Sequence, residues 1–330
     1  MTVATVENLS ADIYYQRAYS ALYEQGCELF EYIHQEGDKY VKFTSLKREI
    51  THVAGQAVAE KLYDLETPYG YGGPLSNSDN PMFLARAFAA YRCHCAQQNI
   101  VCEFIRFHPF NSLVDNDSLF DMCLEERQVV IVDLNLSSEE RRQKYSKTTR
   151  NIVRKALQNL TIENEGVPIS EFISMYYETM QKNIAPDFFY FKESYFNALM
   201  ALDGVRLIAI KKDEEYASIG FFMCCNELAH YHLSANNQVL AKENGNYLLL
   251  DSAFEHAKSQ GCRYMMLGGG RTSSLDDSLF KFKAKFSPEI KPFYIAGLDF
   301  LPKKRQQLNQ LWIANNSDRP APKLFQLYRA

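Results

Sequence analysis

Apolar positions between residues 12 and 34 recur at three- and four-residue steps, a spacing that predicts a long amphipathic helix. Residues 40–46 alternate apolar and polar side chains and predict a strand, and residues 60–66 a second one. That strand runs into Thr67-Pro68-Tyr69-Gly70-Tyr71-Gly72-Gly73-Pro74, whose glycines and prolines mark a loop. Pro81 opens a helix to about residue 98, with Asn80 or Asp79 as N-cap. Residues 101–107 and 129–134 read as strands, the latter closing a first lobe.

Ser137-Ser138-Glu139-Glu140 has the composition of a helix start, and a strongly basic helix is predicted from there through residue 158. A helix over 169–182 follows, then a loop rich in Phe and Tyr at 188–191 and a helix near 195–201. Strands at 205–211, 216–226 and 230–234 read as antiparallel neighbours, with the charged turn Lys212-Asp213-Glu214-Glu215 between the first two. Asn244-Gly245-Asn246 leads into an apolar helix over 247–259, which stops at Gly261. A strand over 264–267 ends in Gly268-Gly269-Gly270.

The order strand, loop, helix, strand thus occurs twice, over 60–107 and over 230–267. Single cores stop growing at roughly 250–300 residues, and this chain has 330. Two similarly built α/β (α+β) lobes are expected, each a mixed, largely antiparallel sheet flanked by helices. Their expected bounds are 1–136 and 137–300, with a tail at 301–330 whose helix, over 303–312, packs back on the first lobe.

Composition narrows the function. Hydrophobic residues at 46% and aromatic ones at 13% describe a globular chain. No apolar run approaches the roughly 20 residues that span a bilayer, and residues 1–17 have neither a basic nor an apolar leader segment. A cytoplasmic protein with no membrane span is expected. The eight cysteines follow no disulfide ladder. Cys93, His94 and Cys95, with Cys102 beyond, fall on a helical run that points them in different directions, so no metal site is expected. A net charge of −4 disfavours strong nucleic-acid binding, and leaves room for a local contact to a tRNA acceptor end.

Four motifs carry a family resemblance. They are Tyr69-Gly70-Tyr71-Gly72-Gly73-Pro74; Arg150-Asn151-Ile152-Val153-Arg154-Lys155-Ala156; His230-Tyr231-His232-Leu233-Ser234-Ala235 followed by Asn244-Gly245-Asn246-Tyr247; and Leu267-Gly268-Gly269-Gly270 followed by residues 278–286 with Phe282-Lys283. In this order they resemble the FemAB-like acyltransferases of the GNAT superfamily, across residues 69–286. The resemblance implies two tandem GNAT-like lobes and transfer of an acyl or aminoacyl group to an amine. It implies an acyl donor as co-substrate, acyl-CoA or another, with no tightly bound cofactor. The second lobe would be the donor and catalytic side and the first the acceptor side. The chain departs from some bridge-forming members in lacking a long charged coiled-coil arm, which weighs against a tRNA-borne donor.

Physical chemistry assigns tasks to the same residues. Acyl transfer builds charge on the former carbonyl oxygen, and Lys283, flanked by Phe282 and matching the family's Phe-Lys position, is the candidate to meet it; the alternative is a solvated lysine among core phenylalanines. Gly269, Gly270 and Arg271 follow a strand where bare backbone can approach an anion, or simply turn. Tyr69, Tyr71, Gly72 and Gly73 offer aromatic surface to a sugar or peptide, or make a tight structural turn. Arg150 and Arg154 share a helix face suited to a diphosphate, or to water. Asn244, Gly245, Asn246 and Tyr247 open a helix where a GNAT fold receives donor phosphates, and Tyr231 and Ser234 lie on the strand before it. His232 is the histidine best placed as a base, and Asp276 and Asp277 are alternatives that also suit a helix cap. The reading is an N-acyltransferase acting on an amine such as an amino sugar or peptide precursor of the cell envelope. An aminoacyl-tRNA-dependent peptidoglycan-bridge enzyme and a non-catalytic double-GNAT binding module are the alternatives.

Overall fold

A computed structural model describes residues 8–23, 26–318 and 320–330. The leader-free N-terminus read from residues 1–17 lies partly outside them, as do Glu24 and Gln25 within the expected first helix. In chain order the elements are α1 (Arg17–Ala21), β1 (Glu28–Glu36), β2 (Lys39–Glu49), β3 (His52–Val53), β4 (Gln56–Ala57), β5 (Tyr63–Glu66), β6 (Leu75–Ser76), α2 (Pro81–Gln97), β7 (Ile100–Arg106) and β8 (Met122–Asp133). They continue with α3 (Ser138–Lys144), α4 (Lys147–Asn159), β9 (Thr161–Glu163), α5 (Ile169–Lys182), α6 (Glu193–Met200), β10 (Val205–Lys212), β11 (Glu215–Cys225) and β12 (Leu228–Asn236). The last are α7 (Gly245–Ser259), β13 (Tyr264–Gly268), α8 (Ser278–Lys283), β14 (Ile290–Asp299) and α9 (Pro302–Ala314).

The chain divides into two compact units. The first comprises residues 14–126 with 293–330, and the second residues 8–13 with 127–292. In the first, β1, β2 and β5 pair antiparallel in turn, β7 lies parallel to β5, and β14 runs antiparallel to β7. In the second, β9, β10, β11 and β12 form an antiparallel succession, β13 lies parallel to β12, and β8 runs antiparallel to β13. Both units therefore follow one plan. An antiparallel meander is joined by a helical crossover, α2 or α7, to a parallel strand, because parallel neighbours need such a connection.

The helix expected over residues 12–34 is overturned. Short turns at Leu9–Ala11 and Ile13–Tyr15 precede α1, and β1 then closes a hairpin on β2, from Glu28↔Lys47 to Glu36↔Lys39. Along β1, Phe30, Tyr32 and His34 turn inward while Glu31, Ile33 and Gln35 are exposed. Alternation and helical spacing coincide over so short a run, and pairing with β2 decides. Gly37, at φ +61°, makes the turn. The single basic helix expected through residue 158 is also two helices. Tyr145 is extended between them, and Ser146 starts α4 by accepting from Thr149 N at 3.2 Å. The strand expected at 129–134 to close the first lobe is the second half of β8, which pairs with β13 in the second unit.

The first core centres on Phe43 of β2 stacked on Tyr91 of α2 at 3.8 Å, both fully buried. In the second, α7 is buried nearly all round: Leu248, Leu249, Leu250, Ala253, Phe254 and Ala257 are buried, as is Asp251, which is bonded to Arg142 and Tyr145. A helix of that kind belongs inside, and α7 packs on β10, β11 and α4. Each of these leucines and Phe254 stabilises the fold by roughly 1.5–3 kcal/mol.

Candidate active site

The second unit contains a break in its own sheet. β12 pairs with β13 only through Leu228↔Tyr264, Ala229↔Met265 and His230↔Met266, while β12 itself runs on to Asn236. β13 then slips in register against β8 between Met266 and Gly268. Among the described residues the ladder between β12 and β13 ends at His230↔Met266, so the two strands part beyond it.

A β-bulge sits where the strands part. Phe222 faces Tyr231 and Phe221 faces Leu233, which leaves His232 as the extra residue. Residues three apart on a regular strand point to opposite faces. The bulge brings Tyr231 and Ser234 to the same one, and their hydroxyls are hydrogen-bonded. The Tyr231 ring stacks on Phe222 at 5.5 Å. Burial raises its proton affinity, so the phenol stays protonated, with Ser234 opposing the shift.

Lys283 closes this face. It ends α8, is 7% exposed, donates from Nζ to Gly269 O at 2.8 Å and lies 5.6 Å from the Tyr231 ring centroid. Burial, with the Arg127 cation beside it, lowers its pKa to about 7, and Asp277 works the other way. Asp277 caps α8 by accepting from Leu279 N at 2.8 Å and Phe280 N at 3.1 Å, and it accepts from Thr272 N at 3.2 Å. These backbone N–H groups hold its carboxyl below the usual value against the effect of burial. Both glycines of the turn are needed for close approach. A Cβ on Gly269 would lie 2.8 Å from Gln128 O, and one on Gly270 2.5 Å from Asp277 Oδ1. Arg127 Nη1 donates to Gly270 O at 2.7 Å.

The other expected residues are placed as follows. Phe282 packs edge-on against Tyr247 at 5.1 Å and Phe286 at 5.6 Å, on the rim of the core. Tyr247 accepts a hydrogen bond from Lys285 Nζ at 2.8 Å. Asn244 is left-handed (φ +59°) and makes no side-chain cap, so α7 begins with backbone N–H groups of Gly245 and Asn246 that the helix does not use. Arg271 is exposed and donates to Ser278 Oγ. Asp276 pairs with Lys281 on the surface.

His232 bonds through Nε2 to Tyr195 OH at 2.9 Å, and burial, with His230 next to it, takes its pKa down to about 3. Arg150 donates to the backbone oxygens of Gln143 and Tyr145, covering the end of α3, while Arg154 stands exposed one turn on. In the first unit, the loop at residues 69–74 wraps tyrosines of its own unit. Tyr19 OH donates to Tyr69 O and Tyr15 OH to Gly72 O, a Cβ on Gly70 would meet the Tyr14 ring at 2.2 Å, and Tyr71 is edge-on to Tyr14. Gly73, at φ +93°, lies under Phe107.

Sequence reasoning brings Gly269, Gly270, Tyr231, Ser234 and Lys283 into the account, and the structure gathers them on one face. It missed Arg127, because β8 was read as starting at Val129 and the Glu125-Glu126-Arg127-Gln128 run carries no motif.

Residues 140–281 match the family model described as an acetyltransferase (GNAT) domain. The crystal structure of FemX superposes with a TM-score of 0.68 at 12% identity, over 91% of this chain and 94% of that one. L-PGS from Bacillus licheniformis gives 0.56 at 15% identity, over 87% and 88%. The C-terminal domain (DUF2156) of a putative lysylphosphatidylglycerol synthetase from Agrobacterium fabrum gives 0.54 at 15%, over 88% and 91%. At these identities the likeness is one of fold. No curated protein matches the sequence significantly.

Proposed function

We infer that this chain, an acyltransferase with a GNAT domain on a FemX-like fold, transfers its acyl group to an amine at the opening between β12 and β13. The observation that carries the reading is the Lys283 amine, withdrawn from water where those two strands part, with Tyr231 beside it. The free amine of the acceptor attacks the acyl carbon, a C–N bond forms, and charge gathers on the oxygen. Lys283 in its ammonium form stabilises that oxyanion, an effect strengthened by the low local dielectric. The bond to the leaving sulfur or oxygen then breaks. Tyr231, kept protonated by burial and oriented by Ser234, gives the leaving group its proton, the amine proton passes to water, and Tyr231 regains a proton from water to close the cycle.

The first N–H groups of α7, at the buried Gly245 and half-buried Asn246, suit the phosphates of a donor such as acyl-CoA. His232, with so low a proton affinity, does not collect a proton from an amine; its role is to hold Tyr195. An amino sugar or peptide precursor of the cell envelope, met in the cytoplasm, is the proposed acceptor, on the strength of the FemAB-like motifs. Among the described residues no helix is long and apolar enough to cross a membrane.

A donor screen tests this. The purified full chain is given acyl-CoAs or charged tRNA, with amino-sugar and peptide acceptors, and products are read by mass spectrometry. N-acylated product from acyl-CoA supports the reading, and product from charged tRNA alone moves the donor to the aminoacyl class. Tight binding of a nucleotide sugar with no transfer from any donor would replace it with a binding module.

A further inference from the structure

We propose that Arg127 is the positioning residue for the Lys283 amine, clamping from β8 the same glycine turn that Lys283 clamps from α8. Two adjacent carbonyls are held by two cations from different elements: Lys283 Nζ on Gly269 O at 2.8 Å and Arg127 Nη1 on Gly270 O at 2.7 Å. The side-chain carbons of Arg127 lie so close to Gly269 that a Cβ there would come within 2.8 Å of Cδ. Gly269 therefore has no room for a side chain while Arg127 crosses the turn.

The inference rests on the reading of Lys283 as the acting amine, and it adds a cause for that amine's state. Three groups face Lys283 from the elements packed around it: Arg127 from β8, Asp277 from the start of α8 and the Tyr231 phenol from β12. Only Arg127 repels the ammonium, and an arginine keeps its charge at every working pH. Like charges at close range favour the neutral amine. Arg127 thus fixes where Lys283 sits and, added to burial, brings the amine close to half-protonated at neutral pH, so the cation used in the proposed reaction is lost as pH rises. A lysine with an ordinary pKa would remain charged throughout.

The test measures the amine directly. Trace labelling of the full chain with acetic anhydride, quantified at Lys283 by mass spectrometry across pH 5–11, gives its titration midpoint without any need for transfer activity. The wild-type midpoint is expected near 7. Arg127→Met and Arg127→Gln, the second keeping a donor for Gly270 O, should both move it upward. A shift of one unit lowers labelling at pH 7 about fivefold. Arg127→Lys, which keeps the charge, should stay near wild type. Should Arg127→Met fail to fold, the Gln and Lys variants carry the comparison. Equal midpoints in wild type and the folded neutral variants would overturn the proposal. A shifted midpoint in a chain that transfers nothing would uphold the positioning of Lys283 and sink only the proposed reaction.

Discussion

An ammonium group taken out of water gives up its proton more easily, and Lys283 shows the result, with a pKa near 7 in place of 10.5. If the cation is the active form, turnover must fall as pH rises through about 7. Lys283→Met should lower kcat by about 100- to 1,000-fold, the usual effect of losing one oxyanion donor. Lys283→Arg, permanently charged, should retain part of the rate and lose the alkaline limb of the pH profile. A limb of the opposite sense, with activity rising through pH 7 and disappearing in the Lys283 variants, would make the amine a base and end the oxyanion role. Glu103 in the first unit titrates in the same range for a different reason. It is buried, with Ser45 and Tyr91 donating to its two oxygens, and burial outweighs both bonds and raises its pKa from 4.5 to about 7. The folded state therefore holds this proton more tightly than the unfolded chain. The stabilising contribution is complete below pH 4.5 and is lost as pH rises through about 7. Glu103→Gln should remove this dependence and make the protein more stable than wild type at pH 8, by up to roughly 3 kcal/mol. Chemical denaturation at pH 5 and pH 8 measures it.

The element that organises the candidate site is β12, and its bulge is what sets Tyr231 and Ser234 side by side. His232→Ala keeps the extra residue while removing the imidazole. It should preserve most of the transfer rate, with a loss of no more than about tenfold, which distinguishes a residue that positions Tyr195 from a general base worth 100-fold or more. Deleting His232 makes the strand regular and leaves Ser234 two residues from Tyr231, still on its face, so it should cost no more than His232→Ala does. A deletion variant as slow as Tyr231→Phe would show that His232 does more than space Tyr231 from Ser234. None of this was legible from spacing, because a bulge has no fixed sequence sign and Tyr231-His232-Leu233-Ser234 reads as plain alternation. The crossover helix α7 was legible, since its run of leucines starts after Asn244-Gly245-Asn246 and its helix stops at Gly261. So was the start of α8, where Asp277 stands in cap position. Lys283 and Gly269 were each legible as motifs, and only the return of α8 over the turn shows that one bonds the other. The motif at residues 69–74 turned out to pack tyrosines of its own unit, and Arg150 to cover a helix end, because family-like residues serve structure as readily as ligands.

At the scale of the whole chain, the sequence suggests two lobes laid end to end, whereas the units exchange segments: residues 8–13 fall with the second and 293–330 with the first. Local periodicity carries no record of such exchange, and β14, which belongs to both stretches of chain, was not anticipated at all. The C-terminal residues are tied to the first unit by one buried charge. Asp64 on β5 is fully buried and accepts from Arg48 Nε at 3.0 Å, Tyr328 OH at 2.9 Å, and Arg329 Nε and Nη2 at 2.8 and 3.0 Å. Arg48 also reaches Glu66 and Gln326, whose Nε2 donates to Leu65 O. Coulomb attraction at such distances is large, but so is the desolvation of the carboxylate, and the net worth of the network is modest while the penalty for breaking it is not. Arg329→Met should therefore destabilise the protein by about 1–3 kcal/mol, because Asp64 keeps its charge with one cation fewer. Asp64→Asn removes the charge that needs the cations, so Arg329→Met made in that background should have a much smaller effect than in wild type. Residues in one network couple in this way, and distant ones add within about 0.5 kcal/mol. Urea unfolding of the four proteins in the cycle gives the coupling, and simple additivity would mean that Asp64 is not what anchors the C-terminus.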